Sequence, residues 1–171
     1  MTPPAETADN TPLQQPIVGE QLLHPVVLSA VALLLLNDHV FKRLWPSAIT
    51  GKLSDIAGLV FFPLFLQALW EMGLRVFGKP VRRSSRVLLA AVVLTALVFA
   101  AVQLHPAAAE LYRVGLGALQ WPFEAGFELL GGRPPRPAPR RVHLTQDVTD
   151  LLTLPALAVP LWLGRARAAS P

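Results

Sequence analysis

From Val87 to Leu104 the chain carries no charged side chain, only Val, Leu, Ala, Phe, Thr and Gln. A helix of that length, rising ~1.5 Å per residue, reaches most of the way across a hydrocarbon core of about 30 Å. Three further apolar runs lie at Leu22–Phe41, Asp55–Phe77 and Leu151–Gly164, and Ile56 to Trp70 inside the second is also free of charge. Composition agrees: 53% of residues are hydrophobic and 15% charged, against roughly 45–50% and about 25% in a soluble domain. So little charge cannot cover a water-facing surface, and so much apolar content excludes disorder over most of the length. With no cysteine, disulfide frameworks, thiol catalysis and zinc–thiolate sites are excluded as well.

The flanks of the runs give their limits. Lys42, Arg43 and Pro46 close the first; Pro63 predicts a kink in the second, and Glu71 and Arg75 stand at i,i+4 where it leaves the lipid. The fourth run holds Pro155 and Pro160 and needs Thr149 and Asp150 at its start and Trp162 at its far end to span. The expectation is an all-α fold, a four-helix transmembrane bundle with spans near 22–43, 54–77, 86–105 and 149–165 inside a membrane domain 21–166. Small residues Ala57, Gly58, Ala90, Ala91, Ala96 and Ala100 allow close helix approach. A homo-oligomer or a second membrane protein stays open as a partner beside the lipid bilayer itself.

Residues 1–20 read as a disordered tail, with Pro3, Pro4, Pro12 and Pro16 among polar residues. The tail lacks the basic start and cleavage site of a signal peptide. The long connection 106–146 first mixes Leu111, Leu116, Trp121, Phe123 and Phe127 with Glu110, Arg113, Glu124 and Glu128. Four charges argue for an interfacial amphipathic helix, broken near Pro122. Gly131 to Arg141 then reads as an extended, exposed Arg/Pro loop. Net charge is +4, but the basic residues sit between apolar runs, where they meet lipid phosphates. No basic helix or aromatic stacking motif points to nucleic acid. By the positive-inside rule, the tight basic loop from Arg75 to Arg86 predicts a cytoplasmic N-terminus.

Four alternating spans bring four polar segments to one face. These are Asn37-Asp38-His39, Lys52-Leu53-Ser54-Asp55, Gln103-Leu104-His105, and a last segment from His143 to Asp150. Two short echoes run through them: Leu53-Ser54-Asp55-Ile56 with Val148-Thr149-Asp150-Leu151, and Asn37-x-His39 with Gln103-x-His105. Asp38 and His39 lie inside an apolar stretch, where an ionisable group costs roughly 2.5–3.5 kcal/mol on insertion scales and so takes a partner or a task. Asp38, His39, Asp55, His105 and Asp150 are the candidates for catalysis or for a divalent metal, since carboxylate and imidazole suit both. Lys52, Ser54 and Thr149 are the candidates for ligand binding, and Lys52 or Lys42 should neutralise at least one carboxylate. Ser54-Asp55 and Thr149-Asp150 also suit helix N-termini, so simple capping accounts for the same residues.

Three strings carry a resemblance: Asn37-Asp38-His39-Val40, Thr50-Gly51-Lys52-Leu53-Ser54-Asp55-Ile56-Ala57-Gly58-Leu59, and Asp147-Val148-Thr149-Asp150-Leu151-Leu152. Together they resemble a set of uncharacterised small bacterial multi-pass membrane proteins. That resemblance implies a multi-pass fold in a bacterial inner membrane and brings no activity with it. Asp147-x-x-Asp150-Leu151-Leu152 is also similar to the last helix of the VanZ-like family, although Leu152-Thr153-Leu154-Pro155 departs from that family's continuation. Two readings of function follow: a membrane protein whose Asp/His/Lys face binds a metal or a lipid headgroup, with or without turnover, or a non-catalytic scaffold whose Asp residues only cap helices.

Overall fold

The computed structural model describes residues 17–44, 47–81 and 84–168. Among these every regular element is helical. The disordered tail expected over 1–20 lies almost wholly outside them, as do Pro46, Arg82, Arg83 and the side chain of Lys42. A 3-10 turn (Glu20–Leu23) leads into α1 (Pro25–Leu36), which widens into a π-helical turn (Asn37–Phe41) and ends in the short α2 (Lys42–Leu44). Then follow α3 (Ala48–Val76), α4 (Ser85–Leu104) and α5 (Pro106–Leu130). The chain ends in a 3-10 helix (Val148–Leu157) that continues as α6 (Ala158–Ala168).

Two helices, α3 over Ile49–Val76 and α4 over Ser85–Leu104, are long and apolar enough to cross a membrane, and only 33% of the apolar window of each is buried inside the protein. The core is thin for the same reason. Val27, Leu59, Leu64, Leu88, Val92, Leu157 and Leu163 pack together between α1, α3, α4 and the last segment. A second cluster, Ala30, Ala57 and Val60, joins α1 to α3, where small side chains let the backbones approach.

Several boundaries differ from expectation, each for a local reason. α3 begins at Ala48, well before residue 54, because Ser47 and Thr50 form a reciprocal capping box: Ser47 Oγ accepts the Thr50 N–H at 3.3 Å and Thr50 Oγ1 accepts the Ser47 N–H at 3.2 Å. Ser54 and Asp55 therefore lie inside the helix and cap nothing. α3 is continuous through Pro63. α5 likewise runs unbroken through Pro122. A mid-helix proline costs about 3 kcal/mol, and here both sides of it are anchored to the returning loop. Trp121 Nε1 donates to the Arg136 carbonyl at 3.0 Å, and Glu128 accepts the Arg136 N–H at 2.9 Å. The loop 131–147 has no regular structure but lies back along α5, held also by Arg141 to Glu110 at 2.9 Å and Arg113 Nη2 to the Leu144 carbonyl at 2.7 Å. Gly117 permits the approach, since a Cβ there would collide with the Arg140 carbonyl.

The i,i+4 pair of Glu71 with Arg75 does not form among the described residues. Glu71 is buried instead, and its carboxylate accepts the Gly19 N–H at 3.2 Å and Gln67 Nε2–H at 3.0 Å.

Candidate functional site

The start of α3 is where polar side chains gather, and it is bonded on two sides. Toward α1, the π-turn rotates Asn37 fully inward. Its Nδ2 donates to the Thr50 carbonyl at 2.6 Å and to Ser54 Oγ at 2.7 Å, and Ser54 Oγ–H donates to Asp38 Oδ1 at 2.7 Å. The extra residue of a π-turn is a common device for re-aiming side chains. Here it spaces Asn37 and Asp38 so that both reach one turn of α3.

Toward the last segment, Lys52 Nζ donates to Thr149 Oγ1 at 2.7 Å and to Asp150 Oδ1 at 2.8 Å, and stands 3.6 Å from Asp147. Gln103, buried at the end of α4, joins the same knot twice. Its Nε2 donates to Asp150 Oδ2 at 3.1 Å and its Oε1 accepts the Asp147 N–H at 3.1 Å. Asp147 caps the 3-10 helix by accepting the Thr149 N–H at 2.9 Å and its hydroxyl at 2.7 Å. These two bonds, and then the nearby Lys52 ammonium, hold the Asp147 carboxyl below its usual range. Thr153 Oγ1 donates to the Asp150 carbonyl at 2.6 Å. Pro155 has no N–H to donate, so the α-pattern is interrupted there, consistent with the tighter 3-10 winding.

Asn37 and Gln103, the two carboxamides of the sequence echoes, each bond a polar side chain of a facing segment, Ser54 in α3 and Asp150 in the 3-10 helix. These partners are not matching positions of the echo, in which Ser54 corresponds to Thr149 and Asp55 to Asp150.

Two hollows meet at this place. A polar cleft of about 680 Å³ is lined by Thr50, Gly51, Asp55, Gln103, His143, Asp147 and Asp150, among others. A second hollow of about 750 Å³ is an apolar groove between α3, α4 and α5, running from Asp38, Ser54 and Asp55 down past Leu59, Phe62 and Leu66. Asp55, Gln103 and Leu144 line both. Tyr112 of α5 stands on the groove wall; partial burial, and then the charge of Asp55, push its hydroxyl above the usual value, so it stays a protonated donor.

Of the expected site residues, Lys52, Thr149 and Asp150 are joined directly, and Asp38 and Ser54 are joined to each other beside Asp55 on the groove. His39 and His105 lie elsewhere. The His39 ring donates from Nδ1 to the Leu35 carbonyl at 2.9 Å on the exposed side of the π-turn. His105 caps α5, accepting the Ala107 N–H at 3.2 Å, as His24 caps α1 through Val26 at 3.3 Å. Both caps precede a proline at the first helical position, and that His-Pro pair was the available signal. The imidazole that does line the cleft belongs to His143. The pairing of Asp38 with Lys42 falls on a side chain outside the described residues. Among the described residues no three His, Asp or Glu side chains stand together as a group able to hold a metal ion. Gln103 and Asn37 are the members that charge-based reasoning passes over, because neither titrates.

The chain matches no family model, no curated protein and no solved structure.

Proposed function

We propose that this is a four-span protein of the bacterial inner membrane that binds a lipid headgroup in the polar cleft at one membrane interface. In this reading α1 with its π-turn, α3, α4, and the 3-10 helix with α6 cross the bilayer, α5 lies at the interface, and the N-terminus is cytoplasmic. The observation that carries it is one of position. The cleft sits at the ends of two helices whose middles expose Phe62, Leu69, Leu89, Val93, Leu94 and Leu97, with Leu97 at 64%. So many exposed large apolar side chains on two helices are unfavourable in water and ordinary in lipid. The last segment supports the count of four. Seven residues at ~2.0 Å and seven at ~1.5 Å carry Leu151–Gly164 over about 25 Å, so 3-10 winding lengthens the shortest run toward the bilayer thickness. The Thr50–Leu59 string supports the bacterial location by its resemblance.

A headgroup is favoured over a metal because no three His, Asp or Glu side chains stand together as a metal-holding group among the described residues, and Asp38 and Asp150 are bonded to Ser54, Lys52 and Gln103. The scaffold reading draws on the same knot, which ties three helices together whether or not a ligand enters. Introduced cysteines test the membrane arrangement cleanly in a chain with none of its own. In membrane vesicles Thr145→Cys, beside the cleft, is expected to react with a water-soluble maleimide, and Leu97→Cys to be protected. Equal labelling of the two would overturn the reading.

A further inference from the structure

We propose that α5 and the arginine loop folded back on it form a docking surface for anionic phospholipid, with the apolar arc of the helix in the bilayer surface and Arg133 and Arg140 on lipid phosphates. This rests on the interfacial placement of α5 proposed above and is independent of what enters the cleft. The helix supplies the first argument. At ~100° per residue, Glu110, Arg113, Glu124 and Glu128 fall within ~60° of one another around α5. Leu111, Leu119, Phe123, Phe127 and Leu130 spread over the other side, all of them exposed and Leu130 at 86%. A helix divided in this way lies in the plane of a membrane surface with its apolar arc down. Leu104 at the end of α4 is exposed as well, so the arc begins where the apolar surface of α4 ends.

The loop supplies the second. It covers the charged side of α5: the Arg140 carbonyl lies against Gly117, and Arg136 and Arg141 pair with Glu128 and Glu110 at 3.2 Å and 2.9 Å. Pro134, Pro135, Pro137 and Pro139 keep this stretch extended, so its arginines are strung along the helix. The pairs occupy two of the three glutamates. Glu124 has no partner among the described residues, and neither do the guanidinium groups of Arg133 and Arg140. Over residues 106–141 five arginines stand against three glutamates, which leaves the surface at +2. Two free guanidinium forks beside an apolar arc complement phosphate that carries no cationic headgroup of its own. A basic row on an amphipathic helix is drawn to an anionic leaflet for the same reason.

The test uses the full chain with Leu119→Cys on the apolar arc, reconstituted into vesicles of phosphatidylcholine alone or mixed with phosphatidylglycerol. An uncharged water-soluble maleimide is expected to label this cysteine about thirtyfold more slowly in the anionic vesicles, the scale of two arginines at a charged surface. Rates are read relative to Thr145→Cys, which lies off the helix. Salt at about 1 M, where the Debye length is ~3 Å, should abolish the difference. Arg133→Gln combined with Arg140→Gln should abolish it too, and the corresponding pair of lysine substitutions should keep it. Both side chains are exposed and unpaired, so the fold is left intact. Equal labelling in the two kinds of vesicle overturns the proposal, as does a difference that survives the glutamine pair. Oxidative cross-linking of Leu119→Cys between two chains would assign the arc to a second copy and overturn the lipid. Aqueous labelling of Leu97→Cys overturns the membrane arrangement itself. Protection of Leu97→Cys with equal labelling of Leu119→Cys overturns this inference alone.

Discussion

The two ends of α3 each bury a carboxylate, and they solve the same problem differently. At the far end Glu71 accepts from two neutral donors, the Gly19 N–H and the Gln67 amide, and the amide oxygen of Gln67 is buried without a partner among the described residues. At the near end Asp150 accepts from the Lys52 ammonium and from Gln103, whose own oxygen is already engaged by the Asp147 N–H. The far end holds one segment, residues 17–24, against the bundle. The near end joins α3, α4 and the last helix and leaves Asp55 on an open cleft. Buried polar networks hold structure only when every member is satisfied. The Asp150 knot meets that condition better than the Glu71 knot, which has slack, although on the α1 side of the near end Asn37 Oδ1 is buried without a partner among the described residues. Substitutions around the two carboxylates should therefore fall unequally.

The largest difference is expected for the two glutamines. Gln103→Leu strips one bond from Asp150 and orphans the Asp147 N–H, and should cost about 3 kcal/mol. Gln67→Leu removes one bond to Glu71 but also an unsatisfied oxygen, and should cost ~1 kcal/mol or less. Unfolding of the purified variants in detergent micelles measures both, and equal losses would break the comparison.

Neutralising the carboxylates comes next. Glu71→Gln is tolerated within about 0.5 kcal/mol, because the Gln67 amide can turn its spare oxygen to the new amide group and still leave an acceptor for Gly19. Asp150→Asn has no such escape. Gln103 cannot turn without losing Asp147, so one of two strong bonds is lost, at about 2 kcal/mol. The same unfolding assay ranks them, and a larger loss for Glu71→Gln would reverse the assignment of slack.

A third expectation concerns hydrogen exchange. Glu71→Ala should raise exchange of amides in 17–24 and leave 145–150 protected, while Gln103→Leu should do the opposite. Coupled loosening of both ends would mean that α3 transmits strain along its length.

The smallest effect is in acid. Asp147 has a folded pKa below its unfolded value of about 3.9. Its contribution to stability is therefore complete above that unfolded value and is lost as pH falls through the lowered folded one. The cleft end should loosen below about pH 4, and Asp147→Asn should flatten that limb of the pH–stability curve. An unchanged acid limb would show that another group controls it.

How much of this was legible depended on the kind of signal. The all-helical class and the two most apolar helices follow from runs such as Val87–Leu104, because hydropathy is additive along the chain. The gathering of Asn37, Lys52, Asp55, Gln103 and Asp150 toward one end follows from alternation of helix direction, again a one-dimensional argument. Helix ends were harder. The Ser47–Thr50 capping box and the His24-Pro25 and His105-Pro106 starts are all local patterns, and His105, a ligand candidate by its chemistry, closes a helix terminus with its nitrogen.

Tertiary structure alone decided who bonds with whom. Lys52 meets Asp150 across 98 positions of chain, and Gln103 meets it across 47. Each residue turns a helix by ~100°, so a shift of one position in packing would turn these groups away from one another without changing a single apolar run. The π-turn at Asn37–Phe41 sets one such rotation. The passage from cleft to groove depends on where α5 turns back after His105. Sequence determined that polar groups collect at one end of an apolar helical protein, because burial and helix direction are properties of segments. The structure decided which of them share a proton, a bond or a cavity, because those are properties of rotation and distance between segments.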